Sequence, residues 1–242
     1  MNSVLVRLNK YLSNAGVCSR READKHILAG SVKVNGVLAN LGTKINLDEE
    51  VVTVNGSEIS LSAKHVYYVL NKPCGVISTV SDEKKRKKLL DYVPVLPRIY
   101  PVGRLDKESE GLIILTNDGE LTQQLTHPSF EHEKEYLVEV KSEKLKVKSA
   151  EEVKNIFKRG LLIDGKLMKA DDVLNFSRDT FNFQPFTFNL ILHTGHNRQI
   201  RKMCAKIGLT VLKLVRMRIG RIRLNDLQIE PGQFVFVSKQ DI

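Results

Sequence analysis

Residues 103–119 read Gly103-Arg104-Leu105-Asp106-Lys107-Glu108-Ser109-Glu110-Gly111-Leu112-Ile113-Ile114-Leu115-Thr116-Asn117-Asp118-Gly119. Charged residues crowd between two glycines, directly before an unbroken aliphatic run. Leu112 to Leu115 has the composition of a strand covered on both faces, and Asn117-Asp118-Gly119 is a turn signal that ends it. Asp106 therefore belongs to a loop whose far end is anchored in the core. A carboxylate there can be held rigidly and partly desolvated, as a nucleophile or general base requires, or it can simply cap a turn.

Working outward, a strand candidate at Val66 to Leu70 runs into the tight turn Asn71-Lys72-Pro73-Cys74-Gly75-Val76. Tyr136-Leu137-Val138-Glu139-Val140 alternates as a strand, and Phe186 to Leu192 is strand-like too. Ser149-x-x-Glu152 opens a capped helix closed by Gly160, and a basic helix is expected from about Asn197 to Ile207. Strands and helices interleave without a glycine-rich βαβ fingerprint or an internal repeat. The expected class is α+β, on a mixed, largely antiparallel sheet.

Residues 5 to about 60 read as a separate small module. Leu8, Leu12 and Ala15 form an apolar helical stripe stopped by Gly16, and Ser19-x-x-Glu22 is a capping box opening a second helix that ends near Gly30. The period then changes to that of strands. Asn35-Gly36 and Asn55-Gly56 are hairpin turns, and Ser57 to Lys64 suits a linker. The expected domains are 1–60 and 65–242.

The chain has 242 residues, 42% of them hydrophobic, enough for a substantial core. No run approaches about 18 apolar residues, and Arg7, Asn9 and Lys10 interrupt the N-terminus, so neither a membrane span nor a signal peptide is expected and the cytoplasm is the expected compartment. Cys18, Cys74 and Cys204 are widely spaced and read as reduced, core-lining thiols rather than a disulfide or zinc framework. A net charge of +10 points to a polyanionic partner. Most of it lies between His196 and Asn225, where Arg198, Arg201, Lys202, Lys206, Lys213, Arg216, Arg218, Arg221 and Arg223 face no acid in sequence. Lys84-Lys85-Arg86-Lys87-Lys88 is either an RNA-contacting loop or a solvated surface.

Gly-Arg-Leu-Asp followed by Ser-x-Gly-Leu, an aliphatic strand and Thr-Asn-Asp-Gly resembles the catalytic motif of pseudouridine synthases, in particular the Rsu family that modifies ribosomal RNA. The N-terminal pattern Arg7-Leu8-Asn9-Lys10-Tyr11-Leu12, Cys18-Ser19-Arg20-Arg21-Glu22-Ala23-Asp24 and Gly30-Ser31-Val32-Lys33-Val34-Asn35-Gly36 resembles the S4 RNA-binding domain. The two resemblances together imply an S4-like domain of two helices plus a small sheet, followed by a pseudouridine synthase domain. They imply isomerisation of uridine in ribosomal RNA, with the large-subunit branch favoured, by a monomer without cofactor or metal. The expected partner is ribosomal RNA or a ribosomal subunit precursor. A non-catalytic S4-type ribosome-assembly factor would share the RNA-binding features, but not the matches at Asp106, Tyr136 and Arg201.

By this resemblance Asp106 is the nucleophile. Tyr136, in Glu133-Lys134-Glu135-Tyr136, offers a ring face to the uracil. Arg201, in Asn197-Arg198-Gln199-Ile200-Arg201, pairs with the Asp106 carboxylate and keeps it ionised. Lys72-Pro73-Cys74-Gly75 looks like the first family motif, which supports the wall of the site. Arg104 is placed either to fill the gap left by the extruded uridine or to clamp its phosphate, and Leu214 either to form an apolar floor or to pack in the core. Further RNA contacts are expected from Arg198, Lys202 and Arg216, and in the first module from Arg7, Lys10, Arg20 and Arg21. Gly195-His196 departs from the Gly-Arg of many relatives. His196, His127, His132 and His193 are given no catalytic role.

Overall fold

The structure is a computed structural model and describes residues 5–47, 49–61, 64–80, 82, 84–94, 97–130, 132–142, 149–178 and 184–242. The chain divides into two compact units. The first comprises Met1–Val66, Leu96–Ile99 and Asn117–Gly119, and the second comprises the remainder.

In the first unit, β1 (Leu5–Arg7) leads straight into α1 (Leu8–Asn14), and α2 (Arg20–Leu28) follows. Leu8, Tyr11 and Leu12 stand three and four residues apart, and all three are buried. Ser19 and Glu22 complete the capping box in both directions, at 3.2 and 2.8 Å. Such a cap is worth about 1 kcal/mol. The strands are β2 (Val32–Val34), β3 (Val37–Leu38), β4 (Lys44–Asn46), β5 (Val52–Val54) and β6 (Ser57–Ile59). They form a four-stranded sheet ordered β3-β2-β5-β6 and a separate β1-β4 pair. Both Asn-Gly turns carry positive φ at each residue, as a two-residue hairpin of this hand requires. Ser57–Ile59, expected in a linker, is instead an edge strand on β5, and the Tyr11 hydroxyl donates to the Ile59 carbonyl. A polar composition cannot distinguish an edge strand from a linker.

The second unit runs β7 (Tyr67–Lys72), β8 (Tyr100–Val102), β9 (Glu110–Thr116), α3 (Gly119–Thr126), β10 (Lys134–Ser142), α4 (Ala150–Arg159), β11 (Leu161–Ile163), β12 (Lys166–Met168), β13 (Asp172–Leu174), β14 (Phe186–Leu192), α5 (Gln199–Lys206), β15 (Leu209–Ile219), β16 (Ile222–Arg223), α6 (Leu224–Leu227) and β17 (Phe234–Phe236). A nine-stranded sheet has the order β13-β14-β10-β15-β9-β7-β17, with β16 on β15 and β8 on β9. Its pairings are antiparallel except β15 with β9, so the sheet is mixed and largely antiparallel, as expected.

The parallel joint is short, pairing Val215 with Glu110 and Arg216 with Gly111. Gly111 has φ +99, and a Cβ there would sit 2.6 Å from the Arg216 nitrogen and closer still to its carbonyl oxygen. Only glycine lets the two halves of the sheet meet at this point. The joint begins one residue beyond Ser109, so the loop holding Asp106 springs from the seam.

One core cluster gathers Val138 and Val140 of β10, Phe186, Phe188 and Leu190 of β14, Val153 and Phe157 of α4, and Ile200, Met203 and Cys204 of α5. Another gathers Tyr67 and Val69 of β7 with Leu112 and Ile114 of β9. Cys18 and Cys204 are buried as expected, and burial pushes the Cys204 thiol up to about 12. Cys74 corrects the expectation of three core thiols, because it stands exposed in the turn after β7. Among the described residues no helix is long and apolar enough to cross a membrane.

Candidate active site

The loop between β8 and β9 is tied down almost residue by residue. The Leu105 side chain enters the core. Its backbone N–H donates to Ser78 Oγ at 3.0 Å, and that hydroxyl donates to the Leu105 carbonyl at 2.7 Å. The Lys107 carbonyl accepts from Gly75 N at 2.8 Å and from Lys72 Nζ at 3.3 Å. The Asp106 carbonyl accepts from Ser109 N at 3.1 Å, closing a turn. Asp106 is thus presented, half-buried, on a rigid turn. A fixed turn of this kind preorganises a reacting group.

Lys72 is fully buried, and its ammonium also donates to the Pro73 carbonyl at 3.0 Å. Burial lowers its pKa to about 8, against the opposing pull of Cys74, Glu110 and Glu108. The Lys-Pro-Cys-Gly turn therefore acts from beneath the loop, with its lysine spread over two carbonyl oxygens.

The other side of the site comes from the loop after β14 and the start of α5. Gln199, 3% exposed, accepts from His196 N at 3.1 Å and Thr194 Oγ1 at 3.3 Å, and it donates to the Lys169 carbonyl at 3.1 Å. One buried amide thereby shapes residues 194–198. Arg198, immediately before the helix, is left-handed at φ 54° and ψ 31°.

These segments enclose a cavity of about 240 Å³. Asp106, Tyr136, Arg201, Arg104, Arg198 and Leu214 all line it, as do Leu105, Ser109, Leu192, Gly195, His196, Asn197, Gln199 and Ile200. Tyr136 enters from β10, directly opposite Leu190 on β14 and Arg216 on β15. Leu214 is buried on β15, and Arg104 is exposed. Ser109, whose buried Oγ has no hydrogen-bond partner among the described residues, belongs to the quoted motif but carries no role from the sequence. His196 was set aside there because its spacing fits no metal or triad pattern, yet it lines the cavity.

Two expectations need correction. Arg201 does not pair with Asp106 in this structure: its Nη2 donates to the Glu108 carbonyl at 3.1 Å and its Nη1 to the Val211 carbonyl at 3.4 Å, while Nε is buried without a partner among the described residues. The guanidinium is held by backbone carbonyls of the loop and of β15 rather than by the Asp106 carboxylate. Arg216, expected on the RNA, is 3% exposed, and its Nε donates to the Leu112 carbonyl at 2.7 Å. It braces the seam of the sheet from within. Lys202, a candidate RNA contact, lies outside the cavity lining at a partly exposed position, with Nζ 2.6 Å from Asp164.

The dense positive segment is also less positive than its sequence suggests. Arg198 meets Glu108, Lys213 meets Glu110, Arg218 meets Glu133 and Glu135, and Arg223 meets Glu135. In the first unit Arg7, Arg20 and Arg21 are exposed and Lys10 is half-buried. Arg7 lines a separate cavity of about 260 Å³ with Asn9, Asp24, Ile27, Leu41, Gly42 and Thr43. In the loop containing Lys84 to Lys88, Arg86 pairs with Asp82.

A half-buried carboxylate, a tyrosine ring and several arginines around a cavity of this size suit a flat heterocycle carried on a phosphodiester chain. The chain matches the family model described as RNA pseudouridylate synthase over residues 66–206, and the S4 domain model over residues 6–51. It is 40% identical over 226 residues to the dual-specificity RNA pseudouridine synthase RluF of Escherichia coli strain K12, covering 93% of this chain and 73% of that one. It is 41% identical over 224 residues to ribosomal large subunit pseudouridine synthase B of Bacillus subtilis strain 168, covering 91% and 88%. A crystal structure of a pseudouridylate synthase superposes with a TM-score of 0.63 at 24% identity, covering 98% of this chain and 97% of that one, in support of the fold. With one family model spanning more than half the chain and these relatives alike across nearly all of it, the protein belongs to the RNA pseudouridylate synthase family.

Proposed function

We propose that this protein isomerises uridine to pseudouridine at a defined site in ribosomal RNA, with the large subunit as its substrate, and that it acts as a cytoplasmic monomer. The observation that carries the reading is the convergence of Asp106, Tyr136 and Arg201, from three distant segments, on one cavity. The name of the Bacillus subtilis relative, a ribosomal large subunit pseudouridine synthase, supports ribosomal RNA as the substrate class.

The reaction breaks the bond between uracil N1 and ribose C1′, turns the base and rejoins it through C5. The C5 proton leaves, and N1, freed from the ribose, gains one. The atoms of uridine are conserved, so the protein must supply a nucleophile and a place for the base to turn. Asp106 attacks either uracil C6 or ribose C1′, while Tyr136 presents its ring to the base, a stacking contact worth about 1–3 kcal/mol. Leu214 and Leu192 form the apolar floor. Arg104 takes the place of the base in the RNA or clamps its phosphate, since reaching a stacked uridine requires extrusion at a cost of a few kcal/mol. Arg201, which lines the same cavity, moves from the Glu108 carbonyl to the Asp106 carboxylate as substrate fills the site. Catalytic hydrogen bonds commonly tighten only in the substrate complex. The first unit, through Arg7, Lys10, Arg20 and Arg21, supplies affinity and placement rather than chemistry.

The test uses ribosomal RNA tritiated at uracil C5, prepared from cells lacking this protein. Parent protein should release tritium, and Asp106→Asn should release none while binding the same RNA. Absence of release from both naked RNA and subunit precursors would leave only RNA binding, and the assembly-factor reading would replace this one.

A further inference from the structure

Arg198 lines the cavity, yet its charge is already engaged. Nη1 lies 2.9 Å from Glu108 Oε2, on the same loop as Asp106, and the two side chains are 43% and 55% exposed. The hydrogen bond from Arg198 holds the Glu108 carboxyl below its usual range, with a lesser contribution from Arg201. Arg198 also keeps a left-handed backbone that glycine would adopt with less strain, and it makes no side-chain cap to the helix it precedes. An arginine held there at a conformational cost, against an acid and beside the cavity, is arranged for something other than local stability.

Two partners compete for that guanidinium. An exposed carboxylate contributes at most a few-fold to an equilibrium, because solvent screens it and both long side chains lose freedom. A phosphate of a bound RNA offers bidentate, charge-assisted hydrogen bonds and releases condensed counterions. The phosphate therefore wins once the RNA is seated by its other contacts, and the acid yields.

Resting on the RNA-modifying function proposed above, we propose that Glu108 is a positioning residue acting through Arg198: a displaceable counter-ion that occupies the guanidinium in the free protein and gives way to an RNA phosphate at the cavity mouth. Glu108 thereby keeps the mouth from gripping any passing phosphate. It makes the Arg198 contact conditional on the rest of the RNA being in place.

A double-mutant cycle on the full chain tests this, with dissociation constants measured on transcribed large-subunit ribosomal RNA across a salt series. Glu108→Gln should tighten binding by up to about fivefold and steepen its salt dependence. Arg198→Gly, chosen because glycine accepts the left-handed backbone and preserves the loop, should weaken binding. In the Arg198→Gly background the Glu108→Gln gain should vanish. No gain from Glu108→Gln, a gain that survives Arg198→Gly, or no loss from Arg198→Gly would each overturn the proposal. Tritium release by the parent on the same RNA, measured alongside, tells such a failure from failure of the proposed function itself.

Discussion

Lys72 is the residue whose chemistry folding changes most clearly. In the unfolded chain its amine titrates near 10.5; in the folded protein burial brings it to about 8. Between those values the unfolded chain holds a proton that the folded protein has given up, so this residue makes stability rise with pH across about 8 to 10.5. Below about 8 the folded protein bears the full cost of a buried ammonium. Lys72→Met lacks the effect, so the parent should gain on the variant by up to about 3 kcal/mol over that window. Denaturant midpoints of both proteins at pH 7.5 and 10 would show it, and parallel midpoints would mean the amine stays charged and hydrated. At this scale the sequence was readable only in part. Motif resemblance pointed to Asp106, Tyr136, Arg201 and Leu214, which line one cavity. It did not reveal that Arg216 faces inward, because burial is set by the parallel joint with Gly111, far away in sequence.

Local signals marked the elements well where one segment decides its own structure. The capping box at Ser19, the N-cap at Ser149, the Asn-Gly hairpins and the alternation along β10 are of that kind. Short strands such as β1, β6 and β17 were missed because their partners create them. The positive segment from His196 to Asn225 holds no acid of its own, and its partners come from elsewhere in the chain: the pairing of β10 with β15 brings Glu133 and Glu135 to Arg218. The entry to α5 depends on Gln199, a residue the sequence did not flag. Gln199→Met preserves its bulk but leaves the His196 N–H and the Lys169 carbonyl without their partner. An unmet buried polar group costs about 1–3 kcal/mol. The variant should lose about 2 kcal/mol of stability, and the amides of residues 195–197 should exchange faster with solvent. Stability equal to the parent, with unchanged exchange, would show that other contacts fix the loop.

For the whole molecule, the open question is what the first unit contributes. Deleting it is a poor test, because residues late in sequence belong to it: Asn117 accepts from Val66 N at 2.9 Å and donates to the Lys64 carbonyl at 3.2 Å, and a truncation would strip such partners. Charge neutralisation is cleaner. Arg20 and Arg21 stand exposed in the first turn of α2, where the helix end adds positive potential of its own. If they hold phosphates, Arg20→Gln with Arg21→Gln should weaken RNA binding and flatten its salt dependence by roughly 0.7–0.9 per lost contact. Tritium release at saturating RNA should keep its rate, because the cavity residues lie in the other unit. An unchanged salt slope would move the RNA-binding face elsewhere on the first unit. A collapse in rate at saturation would show that this unit takes part in the chemistry, and affinity and catalysis could then not be assigned to separate units.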